Sequence, residues 1–272
     1  MLHSLKLNVW TSVSACCLLS GLFVLSLYAV DLGLNRDHPT TVKRRILVIG
    51  IICLLAPCAL FAYVRQLSSI SVGLFVTSLG LKWNGLIAAI CFPTLLIFIL
   101  YAGQLFHNLI DGTALFGHVA QRKDLILRNY VIAPFAEELI FRACMLPLLQ
   151  PAIGQWYAVL LCPLFFGIAH VHHLVDWYRL NDGTPFSHAC FVIAIQFIYT
   201  SIFGLFSGFL FIRTGHLISL VICHSLCNIM GLPSLEHALQ HPQKCVILAG
   251  YILGAVFFFI FLFPLTSPSL YE

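Results

Sequence analysis

The sequence predicts an all-α, polytopic membrane protein, and two observations carry the prediction. Of its 272 residues 60% are hydrophobic and only 9% are charged, whereas soluble domains carry roughly 25% charged residues. The apolar residues also gather in runs of about 20, the length a helix needs to cross a hydrocarbon core about 30 Å thick. No stretch is polar enough to fold as a separate soluble domain, so residues 1–272 are read as one integral membrane domain.

About eight spans are expected, enclosing a cavity within the membrane. The first covers about 9–30; it is longer than a signal-peptide core and no clean small-x-small cleavage site follows it, so it is read as a span. The second, about 46–64, follows a loop carrying Arg36, Lys43, Arg44 and Arg45. A piece at about 68–81 is broken by Gly73 and Gly80, too short to cross, and expected to be interfacial or re-entrant. The third span, about 85–106, precedes a polar loop with Asp111, Arg122, Lys123, Asp124 and Arg128. The fourth, about 127–149, is closed by Pro147 and Pro151, with Gly154 in the turn. The fifth, about 156–173, ends in His170-Val-His-His173, and a short loop from Leu174 to Ser187 follows. The sixth and seventh, about 188–212 and 216–231, are joined by the tight Arg213-Thr-Gly-His216, and the eighth covers about 246–265. Within the sixth, Gly204-Leu-Phe-Ser-Gly208 has the spacing of a close helix-packing face. Ser269-Leu-Tyr-Glu272 carries no retention or lipidation signal.

Lysine and arginine set the expected orientation. One set of loops holds Arg36, Lys43, Arg44, Arg45, Arg122, Lys123, Arg128, Arg179 and Lys244; the other holds Lys6, Arg65, Lys82 and Arg213. The richer side is expected in the cytosol, with both termini opposite. A net charge of +4 makes no case for nucleic acid. The eleven cysteines are scattered through apolar runs and read as small buried hydrophobes, not as a disulfide framework. No Asn-x-Ser/Thr sequon occurs.

Everything polar in the apolar stretches is set around Ala133-Pro-Phe-Ala-Glu-Glu-Leu-Ile-Phe-Arg142. Ionisable groups at bilayer depth each cost on the order of 3 kcal/mol, and so tend to pair, to face a cavity and to mark function. Glu138 and Arg142 stand four apart on one helical face and are expected to neutralise each other. Glu137 is turned about 100° away; it stands outside that pair and is the candidate for chemistry. A purely structural knot of charges would not require the second acid.

Other polar residues are expected at a similar depth. Phe166 and His170 lie four apart at the end of the fifth span, and His224 and Asn228 four apart in the seventh. A carboxylate, two imidazoles and a carboxamide suit hydrolysis without a side-chain nucleophile. A desolvated glutamate is a good general base for water, and imidazole and amide donors can hold an oxyanion. Ser225 adjoins His224 and points elsewhere on the helix. His170, His172, His173, His224, Cys223 and Cys227 are metal-capable types, yet neither His-Glu-x-x-His nor Cys-x-x-Cys occurs. No metal and no cofactor is expected.

Glu137-Glu-x-x-x-Arg142, Phe166-x-x-x-His170 and His224-x-x-x-Asn228, in this order, resemble the CAAX-protease and bacteriocin-processing family of intramembrane proteins. The longer strings 164–173, 211–218 and 223–231 look like its eukaryotic branch, the type II CAAX prenyl endopeptidases or Ras-converting enzymes. The likeness is close over about 125–233. It implies a protease of the endoplasmic reticulum membrane that removes the last three residues of prenylated CaaX proteins, farnesylated or geranylgeranylated, such as small GTPases. It implies that Glu137 and His170 activate water, that His224 and Asn228 bind the oxyanion, and that Glu138, Arg142 and Phe166 support them. A non-catalytic membrane scaffold and a zinc-dependent intramembrane protease are the competing readings.

Overall fold

The structure, a computed structural model, describes residues 7–30, 33–113, 122–180, 183 and 185–272. Lys6 and the side chain of Arg179, both expected in loops, and residues 181, 182 and 184 of the expected 174–187 loop lie outside what is described. In chain order the elements are α1 (Val9–Ala29), α2 (Pro39–Leu67), α3 (Val72–Ser78), α4 (Leu86–Leu100), α5 (Ala102–Ile110) and α6 (Lys123–Leu127). A wide π turn (Arg128–Ile132), α7 (Ala133–Glu138), a second π turn (Leu139–Cys144) and α8 (Leu146–Ile153) continue the chain. Then come α9 (Gln155–Ala169), a 3₁₀ turn (His170–His172), α10 (His173–Leu180), α11 (Phe186–Thr214), α12 (Leu217–Met230), α13 (Leu235–Gln240), α14 (Lys244–Leu265) and a last 3₁₀ turn (Pro268–Leu270). No strand occurs among the described residues. The all-α polytopic class is therefore as expected.

Helix stands at all eight expected places, but among the described residues only five helices are long and apolar enough to cross a membrane by themselves: α1, α2, the run Gln155–Val175, α11 and α14. The α4–α5 pair is bent by 56° and makes a sixth if taken as one span. The seventh expected span, α12, has 14 residues, about 21 Å of helix against a core of about 30 Å. The fourth is divided by its two π turns. Helix α2 starts before the expected boundary because His38 accepts the Thr40 N–H and Pro39 sits in the first turn. Lys43, Arg44 and Arg45 consequently lie on its first turns and not in a loop. Helix also replaces the expected loop at 174–180. Pro147 and Pro151 do not end the acid-bearing helix. The first sits in the opening turn of α8, and the turn comes at Gly154, whose φ of +87° suits glycine.

The chain forms two compact units, Met1–Leu81 with Phe135–Ile212, and Lys82–Pro134 with Arg213–Glu272. In the first, α1 packs on α2, α8 and α9. Phe23 meets Phe141 edge-on at 5.4 Å, and the Ser20 hydroxyl donates to the Phe165 carbonyl at 3.4 Å. None of the eleven cysteines is joined in a disulfide.

In the second unit α12 packs on α4 and on the first π turn, and α14 on α4 and α5. A Cβ on Gly103 would come within 2.4 Å of the Tyr251 backbone nitrogen, so only glycine lets α5 and α14 touch backbone to backbone. Proline explains how α12 is held. Pro93 has no N–H to give the carbonyl of Ala89 four residues earlier, and the buried Ser219 hydroxyl of α12 donates to that carbonyl instead, at 2.8 Å. At the other end of α12, Gln104 Nε2 donates to the Met230 carbonyl (2.8 Å) and the Tyr101 hydroxyl to that of Gly231 (3.1 Å). These are carbonyls a helix C-terminus leaves without an internal donor.

Candidate functional site

In the first unit the acid pair and the fifth span build one connected structure. Glu138 and Arg142 are fully buried. Arg142 Nη1 donates to Glu138 Oε1 at 3.2 Å, the i,i+4 pair that the spacing predicts. Glu138 Oε2 accepts from the Ser207 hydroxyl of α11 at 2.5 Å. The other Arg142 nitrogens, Nε and Nη2, make no hydrogen bond. Aromatic faces cover the guanidinium instead: its Cζ lies 4.3 Å from the Phe166 ring centre and 5.9 Å from that of Phe203. A desolvated cation over an aromatic face gains about 2 kcal/mol, which helps offset the buried charge.

Glu137 is half-buried. Arg142 donates to its neighbour Glu138 and not to it. The Tyr199 phenol of α11 is within electrostatic reach of Glu137.

Phe166 joins the ion pair to His170. Its ring takes the guanidinium and meets the His170 ring edge-on at 4.6 Å, while its carbonyl lies 2.8 Å from His170 Nδ1. A carbonyl only accepts, so Nδ1 carries the proton; in the neutral ring Nε2 then holds the lone pair and can take one up. His172 Nδ1 is bound in the same manner to the Ala169 carbonyl at 2.5 Å, and its own carbonyl accepts from the Tyr28 hydroxyl at 2.9 Å. The His173 ring lies 4.1 Å from that of His172 and 6.0 Å from that of His170. His170 and His172 lie in the 3₁₀ turn that follows α9, and His173 opens α10.

His224 and Asn228 belong to the second unit, both on α12. His224 is buried and Asn228 exposed. Asn228 Nδ2 donates to the Asn129 carbonyl at 3.1 Å. That carbonyl sits in the first π turn, where the Ala133 N–H is taken by the Arg128 carbonyl. The next residue, Pro134, has no N–H at all. Asn228 thus supplies a donor that the helix cannot, and the second proton on its Nδ2 remains for another acceptor. Ser225 donates to the Val221 carbonyl of its own helix at 2.8 Å.

Sequence reasoning missed Ser207, although it lies inside the glycine pair noted for packing. A serine one turn beyond a glycine on a helix otherwise apolar was the available signal. The metal-capable group whose ligand atoms converge among the described residues is His107, Asp111 and His237, all in the second unit. None of them was among the metal-capable residues singled out from the sequence.

A family model described as "Type II CAAX prenyl endopeptidase Rce1-like" matches residues 124–230. The chain is 43% identical to "CAAX prenyl protease 2" of Homo sapiens, over 96% of this chain and 83% of that protein. It is 39% identical to the protein of the same name in Rattus norvegicus, over 96% and 82%. The Arabidopsis thaliana relative of that name is 30% identical, over 98% and 93%. No solved structure matches the chain.

Proposed function

Because the chain belongs to the type II CAAX prenyl endopeptidase family, we propose that it cleaves prenylated CaaX proteins after the lipid-bearing cysteine, releasing the C-terminal tripeptide. The relatives named as CAAX prenyl proteases support the substrate class. The whole chain acts as one protease domain, with its motif-bearing core over about 125–233. It works in the endoplasmic reticulum membrane with its site open to the cytosol, where prenylated tails of small GTPases and similar proteins arrive.

In the proposed mechanism Glu137 removes a proton from water with the help of His170, and the hydroxide adds to the scissile carbonyl. His224 and Asn228 donate to the oxygen that becomes negative, and the proton held by the Glu137–His170 pair passes to the departing amine as the C–N bond breaks. No metal takes part in these steps. The observation that carries the reading is the division of labour between adjacent acids. Glu138 is committed to Arg142 and Ser207, whereas Glu137 sits half-buried outside that pair, in a setting that favours general-base chemistry.

The experiment is a cleavage assay on a farnesylated CaaX peptide and its unprenylated twin, using the full chain in detergent with and without a strong chelator. Tripeptide release is expected from the prenylated peptide only, in both conditions, and is abolished by Glu137→Ala and by His224→Ala. Full activity in either folded variant overturns the assignment of roles.

A further inference from the structure

We propose that α5 and α13 bind a divalent transition-metal ion, zinc by the character of the donors, on His107 Nε2, Asp111 Oδ2 and His237 Nδ1. None of these residues takes part in the hydrolysis proposed above. The three ligand atoms all lie within 4.8 Å of one another.

Two helix ends supply the group. His107 and Asp111 are four apart at the end of α5, and His237 and His241 four apart at the end of α13. His107 is buried, 3% exposed, and its Nε2 makes no hydrogen bond. That nitrogen is 3.3 Å from Asp111 Oδ2, and His237 Nδ1 is 3.6 Å from the same oxygen. Both separations exceed the 2.7–2.9 Å or so of a charge-assisted N–H···O bond. The first matches the edge of a tetrahedron, and the second is slightly longer than one. Zinc bonds of about 2.0–2.1 Å place ligand atoms roughly 3.3–3.4 Å apart.

The surroundings fit the same reading. His107 Nδ1 lies 3.3 Å from the Tyr251 hydroxyl, so a ring that ligates through Nε2 has an acceptor for its other N–H, as metal-bound histidines do. His241 Nδ1 accepts from the Gln243 backbone N–H at 3.0 Å. The proton of the neutral ring is therefore on Nε2, which faces Asp111 Oδ1 at 3.2 Å. One carboxylate oxygen is thus oriented by His241 and the other is turned to the two remaining imidazoles. The His237 side chain is 58% exposed, leaving the fourth position to water. Two neutral imidazoles and one carboxylate suit zinc better than calcium or magnesium, which prefer oxygen.

Placed here, the ion ties α13 to α5. Residues of α5 and its preceding Tyr101 already hold the last carbonyls of α12, and α13 follows α12 directly. The metal therefore braces the end of the helix that carries His224 and Asn228 without entering the reaction, so it sets stability and not turnover.

The test uses the full chain without a histidine tag, purified in detergent and dialysed against a weak chelator. About one zinc per chain is expected to remain, replaceable by cobalt with the visible absorption of a tetrahedral ion. His237→Ala, which removes an exposed ligand, is expected to lose it, as is His107→Ala. His241→Ala is expected to weaken affinity about 10–100-fold, the usual cost of losing an outer-shell partner. Zinc is expected to raise the unfolding midpoint of the wild type and not of His237→Ala. Glu137→Gln keeps its zinc while losing turnover, which separates this ion from the hydrolytic residues. A wild-type chain with neither zinc nor a tetrahedral cobalt spectrum overturns the site, as does full retention in His237→Ala, or loss in Glu137→Gln.

Discussion

Asn228 donates from Nδ2 to the carbonyl of Asn129 at 3.1 Å, and that carbonyl is available because Pro134 has no N–H to offer it. A proline in one helix thereby sets the direction of a carboxamide on another, within the same unit. On the proposed mechanism the remaining Nδ2 proton meets the developing oxyanion. Asn228→Ala is then expected to lower kcat about 10²–10³-fold, the usual effect of one lost oxyanion donor. Pro134→Ala gives Asn129 a donor of its own and releases Asn228, so kcat falls by less while KM stays the same. Steady-state kinetics on the prenylated peptide measure both. Unchanged kcat in Asn228→Ala removes the residue from the mechanism.

The two neighbouring glutamates are expected to fail differently. Glu138→Gln leaves Arg142 buried without a full counter-charge, and removing one partner of a buried pair costs about 3–5 kcal/mol. Its signature is a lower unfolding temperature and poor recovery of folded protein. Glu137→Gln breaks no contact to Arg142 and is expected to unfold near the wild-type temperature with no detectable turnover. Thermal unfolding in detergent beside the peptide assay distinguishes them, and the reverse pattern exchanges the roles assigned to the two acids.

Glycine 204 is expected to tolerate no side chain, while Gly208 accepts one. A Cβ on Gly204 would lie 2.8 Å from Arg142 Nη2 and 2.8 Å from Pro163 Cβ. The guanidinium has little room to retreat, because Phe166 and Phe203 cover it. Overpacking of this kind costs about 1–3 kcal/mol. On Gly208 the nearest atom to a new Cβ is Val159 Cγ1 at 3.6 Å, an ordinary contact. Gly204→Ala should therefore lower the unfolding midpoint and Gly208→Ala leave it alone, as differential scanning of the two variants will read.

What the sequence makes legible here is local, and what it hides is distant. The Glu138–Arg142 pair is readable because helical spacing alone brings residues four apart together. Ser207 is not, since it reaches Glu138 across 69 residues of chain. The histidines of α5 and α13 are hidden for the same reason, each helix end showing only a polar pair of no evident use. Hydropathy locates every apolar segment but does not register breaks, so the acid-bearing helix reads as one span although two π turns divide it. The first break does have a mark in the sequence. Pro134 denies a donor to the Asn129 carbonyl, and the wide turn sits immediately upstream.

Phe166 offers a way to separate its two jobs, because one is done by the ring and the other by the backbone. The ring lies over Arg142 at 4.3 Å, and the carbonyl holds His170 Nδ1 at 2.8 Å. Phe166→Leu removes the aromatic face and keeps the carbonyl. It is expected to lose the roughly 2 kcal/mol of a desolvated cation–π contact, together with some packing against Phe141. The tautomer of His170 is expected to persist, so kcat at a temperature where the variant is folded should stay within a few-fold of wild type. His170→Ala is expected to show the opposite result, with little change in unfolding temperature and loss of turnover, because the ring nitrogen that takes up a proton is gone. If Phe166→Leu abolishes turnover while still folded, orientation of His170 depends on the edge-on ring contact at 4.6 Å and not on the carbonyl.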